Sequence, residues 1–435
     1  MENTKPASCF RMNTPEGGRP LNVVLIHAAD AGGGAERSTL SLHLELIKQG
    51  HNSRMYVGYK RTNSPNVVEI ERVRTIPGVM RVCRWLEENR GWQHLYAPGF
   101  RRLHSIIPPD TDILHIHSLW ASGGFADVGA LPALTRQFPT LITLREQWLT
   151  TGHCANSGDC DRWLRGCGSC PHLDVIPVIA HDGTRINWLR KWIALHRSQA
   201  HITTVSDWMR EMAMKSPILA GKTISTIYNG IDVSVFSPGS QDQAREALNI
   251  PKDKFSVLLA GQSIEGIHHG IAQHAISAFN RFKSDGFLPL LVGHSASLVA
   301  KTLSIPCRVL PFQETPQEMA RCYRASDLTV VCSEVESFGR IAAESQACGT
   351  PVLAFASGGL PEVVKHGMGG WLVPTGDVDA LTAGLRFFIE NSSERRRMGS
   401  AGATWVQTQF SNEKVTKDFI SLYGQVITKR RRLER

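Results

Sequence analysis

The sequence has no apolar run approaching the roughly 20 residues that a membrane-spanning helix needs. Its first 20 residues are polar, contain Gly and Pro, and lack the apolar centre of a secretory signal. It also has no His-Glu-x-x-His zinc motif, no internal repeat and no low-complexity tract. Three further motifs are present only in part. Gly221-Lys222-Thr223 could end a phosphate-binding loop, but Ser216 stands where that loop needs Gly. Gly293-His294-Ser295-Ala296-Ser297 ends in Ser where a hydrolase nucleophile elbow needs Gly. Gly32-Gly33-Gly34 is followed by Arg37 at the place of the third Gly of a dinucleotide fingerprint. The standard kinase, hydrolase, dehydrogenase and zinc-protease readings therefore lose their sequence support. The expectation is a cytoplasmic chain with a disordered leader over residues 1–20.

A chain of 435 residues is too long for one ordinary core, which predicts two domains of about 200 residues each. A hydrophobic share of 42% and a charged share of 20% describe a globular protein rather than a disordered one. The net charge of +9 permits anionic partners. Its basic residues fall in short clusters: Arg72/Arg74/Arg81/Arg84, Arg101-Arg102, Arg395-Arg396-Arg397 and residues 429–432. These read either as solvated faces or as peripheral attachment to anionic lipid at the inner face of the cell membrane. No basic stretch is interleaved with aromatics or joined to a reading motif, so nucleic acid is not an expected partner.

Short β-branched runs alternate with longer helical stretches, the pattern of α/β architecture with parallel sheets. Strands are predicted at residues 21–27, 53–58, 113–117, 141–144 and 202–205, with a helix at about 35–50 after the first glycine loop. A second series covers residues 255–260, 288–292, 307–310, 328–332 and 351–355. Two series imply two doubly wound domains, and the turn-forming stretch from Tyr228 to Gly239 separates them. The division expected is residues 21–236, 237–410, and a helix with a basic tail over 411–435 that packs back toward the first domain. Ligands of doubly wound sheets bind at the carboxyl ends of the strands, so the site is expected in the cleft.

The predicted strand 328–332 leads through Glu336-Ser337-Phe338-Gly339-Arg340 into a helix carrying Glu344. A strand entering a helix through a glycine loop makes an anion site, because the first helical amides are unpaired and the helix dipole favours negative charge. Alone, the two glutamates read as surface residues at a helix start. However, Cys348-Gly349-Thr350-Pro351 then ends that helix and enters a new strand. Gly358-Gly359-Leu360-Pro361-Glu362 follows as a second glycine-to-helix junction. Consecutive strand ends thus converge on one spot.

The run from Glu336 to Val364 resembles the carboxyl-domain signature of retaining glycosyltransferases of family 4, whose GT-B fold sets two Rossmann-like domains face to face around a central cleft. Gly32-Gly33-Gly34-Ala35-Glu36, Tyr228-Asn229-Gly230-Ile231-Asp232 and Gly369-Gly370-Trp371-Leu372-Val373 are similar to other stretches of that family. The resemblance implies that Glu336 touches the donor sugar, as the residue closest to catalysis, and that Glu344 holds the ribose. It implies that amides of Phe338, Gly339 and Arg340 hold the diphosphate, and that Gly33 and Gly34 allow close approach to the donor or acceptor. Base recognition is expected near residues 310–313, with UDP and GDP both open. The family needs no cofactor for catalysis, and its leaving phosphate is thought to help deprotonate the acceptor hydroxyl. Two departures stand out. Family members carry an Arg and then a Lys after the first carboxyl-domain strand. Here Gln262 and His269 occupy those places as donor-phosphate candidates. A family His-Asp is replaced by Arg145-Glu146.

Six of the ten cysteines are scattered and read as small buried apolar residues. Cys154, Cys160, Cys167 and Cys170 lie within 17 residues inside an insertion over 148–172. Their spacing suits tetrahedral structural zinc, with reduced thiols or disulfides as alternatives. Trp148 to Cys154, ending in Cys167-Gly168-Ser169-Cys170-Pro171, resembles an insertion of colanic-acid-type exopolysaccharide glycosyltransferases. That resemblance implies a retaining transferase moving a sugar from a nucleotide-sugar to a lipid-linked or growing cell-surface glycan. The alternatives are a catalytically silent GT-B scaffold and a same-fold epimerase.

Overall fold

The structure is a computed structural model that describes residues 19–71, 78–120, 125–261, 271–282 and 286–433. The expectations placed on Gln262 and His269, and most of the 1–20 leader, lie outside the described residues.

Two parallel sheets form, in line with the α/β expectation. The first contains β1 (Asn22–Ala29), β2 (Asn52–Tyr59), β3 (Val67–Glu69), β4 (Ile113–Ile116), β5 (Thr140–Leu144), β6 (Ala200–Thr204) and β7 (Ile224–Thr226), in the order β3-β2-β1-β4-β5-β6-β7. The second contains β8 (Phe255–Ala260), β9 (Phe287–Val292), β10 (Arg308–Val309), β11 (Leu328–Val331), β12 (Val352–Phe355) and β13 (Gly370–Val373), in the order β10-β9-β8-β11-β12-β13. Both orders reverse direction beside the first strand of their sheet, which opens a crevice at the carboxyl ends of β1 and β8. Central strands such as β4, β5, β11 and β12 are buried along their whole length, as helices on both faces require. The sequence pattern missed β3, β7 and β13. All three lie at sheet edges and have three or four residues, too few to establish a periodicity.

Seven helices matter below: α1 (Gly34–Lys48), α2 (Val79–Arg90), α3 (Thr184–His196), α4 (Pro316–Ala325), α5 (Arg340–Ala347), α6 (Ser392–Phe410) and α7 (Asn412–Leu433). The chain returns to the first domain in α7. Val415, Phe419, Leu422 and Tyr423 join residues of the first sheet, including Val23, Leu25 and Leu141, in one buried cluster. Tyr423 Oη lies 2.7 Å from His115 Nδ1 on β4, fixing that register with a polar contact inside the cluster. Next to the interdomain stretch, Ile231 N donates to the Phe410 carbonyl at 2.7 Å and Asn412 N donates to the Ile231 carbonyl at 2.9 Å. A second bridge crosses the cleft. Glu362 accepts from the amides of Asp207 (2.7 Å) and Trp208 (2.9 Å), placing a carboxylate at a helix amino terminus where the dipole favours it.

Candidate active site

The loop between β11 and α5 is shaped by two glycines. Gly339 caps α5 at φ +98°, a left-handed conformation that costs an ordinary residue about 1–2 kcal/mol. Gly358, at φ +54°, lies so close to the loop that a Cβ there would sit 2.1 Å from the Glu336 carbonyl oxygen. The same carbonyl accepts from Gly359 N at 2.7 Å, so the two glycine loops hold each other.

Glu336 turns its side chain back onto this junction, where Oε1 accepts from Gly339 N at 3.3 Å. Burial raises the Glu336 carboxyl above the usual range, and donors at Gly339, Ser333 and Phe338 partly offset this. An acidic group therefore already occupies part of the anion position at the amino end of α5. Glu344, one face along the helix, is buried and uses both oxygens. Arg340 Nε donates to Oε1 at 2.6 Å and Tyr323 Oη to Oε2 at 3.1 Å. Each carboxylate oxygen keeps a further lone pair, so neither bond removes its capacity to accept from a hydroxyl.

A cleft of about 250 Å³ brings Gly33, Gly34, Glu336, Arg340 and Glu344 onto one surface. Phe312 and Gln313, in the stretch expected to face a base, line the same cleft. Phe338 does not line it: its ring is buried between Tyr228 and Phe410, leaving only backbone for the role expected of it. A larger cavity of about 590 Å³ lies behind the interdomain stretch beside Pro238 and Arg324. It contains neither glycine loop nor glutamate pair, so chemistry rather than size selects the smaller cleft.

Sequence reasoning missed Arg37 as a member of the site. Arg37 lines the cleft from the first turn of α1, and its one described side-chain bond is a 3.4 Å contact to the Glu314 carbonyl. Arg340 faces it from α5 and donates across the cleft to Ser38 Oγ at 2.8 Å and to the Gly230 carbonyl at 3.4 Å. The only signal in the sequence was that Arg37 broke a glycine fingerprint.

Below the cleft, His27 on β1, His117 after β4 and Arg145 after β5 form a buried group at the strand ends. Arg145 contacts Asn229 and lies 3.3 Å from His117 Nδ1. Among the described residues, Arg145 Nε, His27 Nε2 and His117 Nε2 have no partner. Burial, reinforced by Arg340, lowers Arg145 to about 9, and burial with Arg145 lowers His27 to about 3, so the histidines are neutral near pH 7.

The insertion is pinned by a residue the sequence pattern did not single out. Lys191 on α3 is buried and donates to the carbonyls of Trp148 (2.6 Å) and Thr151 (3.1 Å), with Nζ 3.7 Å from the centre of the Trp148 ring. Among the described residues, no three His, Cys, Asp or Glu side chains are grouped so as to hold a metal ion. Cys154, Cys160, Cys167 and Cys170 are free, and Cys170 Sγ contacts His153 Nε2 at 3.5 Å. Burial pushes Cys167 up to about 12, with nearby Cys154 and Cys160 acting in the same direction.

Known proteins resemble this chain over both domains. A family model described as Glycosyltransferase Family 4 matches residues 32–235, and one described as Glycosyl transferases group 1 matches residues 240–405. D-inositol 3-phosphate glycosyltransferase 1 of Catenulispora acidiphila is 30% identical over 336 residues, covering 74% of this chain and 73% of that protein. N-acetyl-alpha-D-glucosaminyl L-malate synthase of Bacillus anthracis is 29% identical, over 59% of this chain and 67% of the relative. Neither relative is of the colanic-acid type. Among solved structures, Anabaena HepE in complex with UDP and glucose superposes with a TM-score of 0.64 at 16% identity, covering 92% of this chain and 98% of that one.

Proposed function

The chain belongs to the group 1, family 4 glycosyltransferases of GT-B fold, and on that premise we propose that it transfers a sugar with retention from a nucleotide-sugar held in the cleft between Glu336, Glu344 and the two glycine loops. The observation that carries this reading is the meeting of two helix amino termini, α1 and α5, with Arg37 and Arg340 on one cleft wall. Negative charge grows on the diphosphate as the glycosidic bond breaks. Oriented amides and guanidinium groups stabilise that charge without reorganising during the reaction. Arg37 and Arg340 then supply the cationic complement where Gln262 and His269 stand in place of the family's Arg and Lys. Glu336 leaves the Gly339 amide to take a donor-sugar hydroxyl, and a phosphate oxygen replaces it there. UDP as the carrier is supported by the fold neighbour that holds UDP.

The acceptor reading is a lipid-linked or growing glycan, supported by the resemblance of the insertion that follows the carboxyl end of β5. A second acceptor class is favoured by Arg145. The two relatives act, by name, on an inositol phosphate and on malate, both anionic. A buried guanidinium with an unpaired Nε beside two neutral histidines suits such a group. The test is to incubate the protein with UDP- and GDP-sugars, offering polyprenyl-linked saccharides in one series and anionic polyols or hydroxy acids in the other. Transfer in the first series alone supports the glycan reading, and transfer in the second alone overturns it. Glu336→Ala must abolish transfer while the variant remains folded; undiminished turnover would overturn the site assignment.

A further inference from the structure

Large apolar side chains are exposed unevenly over this protein. On α2 they are Val79, Val82 and Trp85, the last at 52% exposure. On the chain leaving the insertion they are Ile176 and Val178, at 58% and 65%. On α3 they are Ile186, Leu189, Trp192 and Ile193. These three neighbouring segments hold nine of the sixteen exposed large hydrophobic residues described for the chain, so the exposure is a property of one region. Apolar side chains scattered singly over a surface need no explanation, whereas a shared patch marks an interaction surface.

The segments are joined. Asn187 of α3 accepts from Gln93 N at 3.0 Å and donates to the Gly91 carbonyl at 2.8 Å, immediately after α2. Arg190 donates to the carbonyls of Gln93 (2.6 Å) and His94 (2.8 Å). Asn187, Lys191, Ala194 and Leu195 thus form the inner side of α3. With 100° per residue, Ile186, Leu189, Trp192 and Ile193 fall within an arc of about 120° on the opposite side. The same arc carries Arg185 at one end and His196 at the other, with Arg197 beside it. On α2 the stripe of Val79, Val82 and Trp85 is flanked by Arg81 and Arg84. The exposed ionised residues of the two helices, their caps and the chain leaving the insertion are Arg81, Arg84, Arg90, Arg185 and Arg197 against Glu88, Asp174 and Asp182, an excess of two positive charges.

We infer that this face, made of α2, α3 and the chain leaving the insertion, docks on an anionic lipid bilayer. Tryptophan and branched aliphatic side chains enter the interfacial zone while the arginines meet the headgroups, the arrangement by which helices lie on a membrane without crossing it. No described helix is long and apolar enough to cross one. Self-association fits the face less well, because a two-fold contact would set an arginine-rich patch against its own copy. Of the basic clusters among the described residues, only Arg81/Arg84 lies within this face, so the exposed apolar residues rather than charge alone define it. The inference goes beyond the transferase reading, and its test does not depend on sugar turnover.

The full chain is sedimented with vesicles of phosphatidylcholine containing one-third phosphatidylglycerol, and with phosphatidylcholine alone. The expected result is partition onto the anionic vesicles that weakens with salt, as interfacial electrostatics requires. Trp85→Ser combined with Trp192→Ser should lower that partition at least about tenfold, and Arg84→Glu combined with Arg185→Glu should lower it further at low salt than at high salt. Both pairs are exposed, and an unchanged thermal midpoint confirms that each variant folds. Failure of the wild type to bind anionic vesicles would overturn the inference, as would variants that bind undiminished. Light scattering that shows a dimer dissolved by the tryptophan variant would assign the face to a second copy instead.

Discussion

Arg340 reaches from the carboxyl domain to Ser38 Oγ of the amino domain at 2.8 Å while its Nε remains bonded to Glu344 at 2.6 Å. The ion pair that orders α5 is thus also a bridge between domains. Both partners are largely shielded, with side-chain exposures of 16% and 5%. Replacing Arg340 by Met leaves a buried carboxylate with only Tyr323 as a donor. Removing one partner of a buried pair costs about 3–5 kcal/mol, and partial exposure places this case near the lower figure. Urea unfolding should show a loss of about 3 kcal/mol for Arg340→Met and a smaller loss for Arg340→Lys. Equal stability of Met variant and wild type would show that the pair is not coupled to folding.

Arg37 offers a more selective test. If its guanidinium meets the diphosphate, Arg37→Gln should weaken UDP binding about tenfold or more, because a hydrogen bond to a charged group contributes about 1.5–3 kcal/mol. UMP, which lacks the outer phosphate, should lose much less. Titration calorimetry with the two nucleotides separates the outcomes, and equal losses for both would remove Arg37 from the phosphate site.

Gly358→Ala tests the contact between the glycine loops. The added methyl would meet the Glu336 carbonyl at 2.1 Å, and a φ of +54° is itself unfavourable for alanine. The loop carrying Glu336 must therefore move. Transfer activity should fall more than tenfold, with a stability loss of about 1–3 kcal/mol in urea. Gly286→Ala is the control, since a Cβ there meets nothing within 4 Å although its φ is also positive. It should lose only the backbone term and retain activity.

These residues also show what a sequence can reveal. Most strands of both sheets were legible because parallel strands buried on two faces read as continuous apolar runs, whereas the short edge strands β3, β7 and β13 were not. Glu336 and Glu344 were legible because strand, glycine loop and helix follow one another without interruption. Arg37 was not, because it reaches the cleft from a domain about 300 positions away in sequence, where no local pattern records the pairing. Lys191 was hidden for the same reason, its partners at Trp148 and Thr151 lying 40 or more positions earlier.

Lys191 provides a signal in the pH dependence of stability. Burial lowers its ammonium from 10.5 to about 7, while nearby Glu146 opposes that change and is itself raised to about 7 by its own burial. An unfolded chain keeps the Lys191 proton up to about 10.5, whereas the folded chain releases it above about 7. Between these values unfolding takes up a proton, so raising the pH disfavours unfolding and stability increases. One proton difference gives a slope of at most about 1.4 kcal/mol per pH unit. For Glu146 the sign is opposite: the folded state holds the extra proton between about 4.5 and 7, and stability falls as pH rises through that window. The buried histidines, neutral in the fold but titrating near 6.5 when unfolded, add a rise of stability with pH below that value, so the Lys191 signal is read in denaturation curves from pH 7 to 10. Lys191→Met should flatten the rise between pH 7 and 10, at a cost from the two carbonyls that lose their donor. An unchanged rise in that variant would show that Lys191 keeps its proton in the folded state throughout the range.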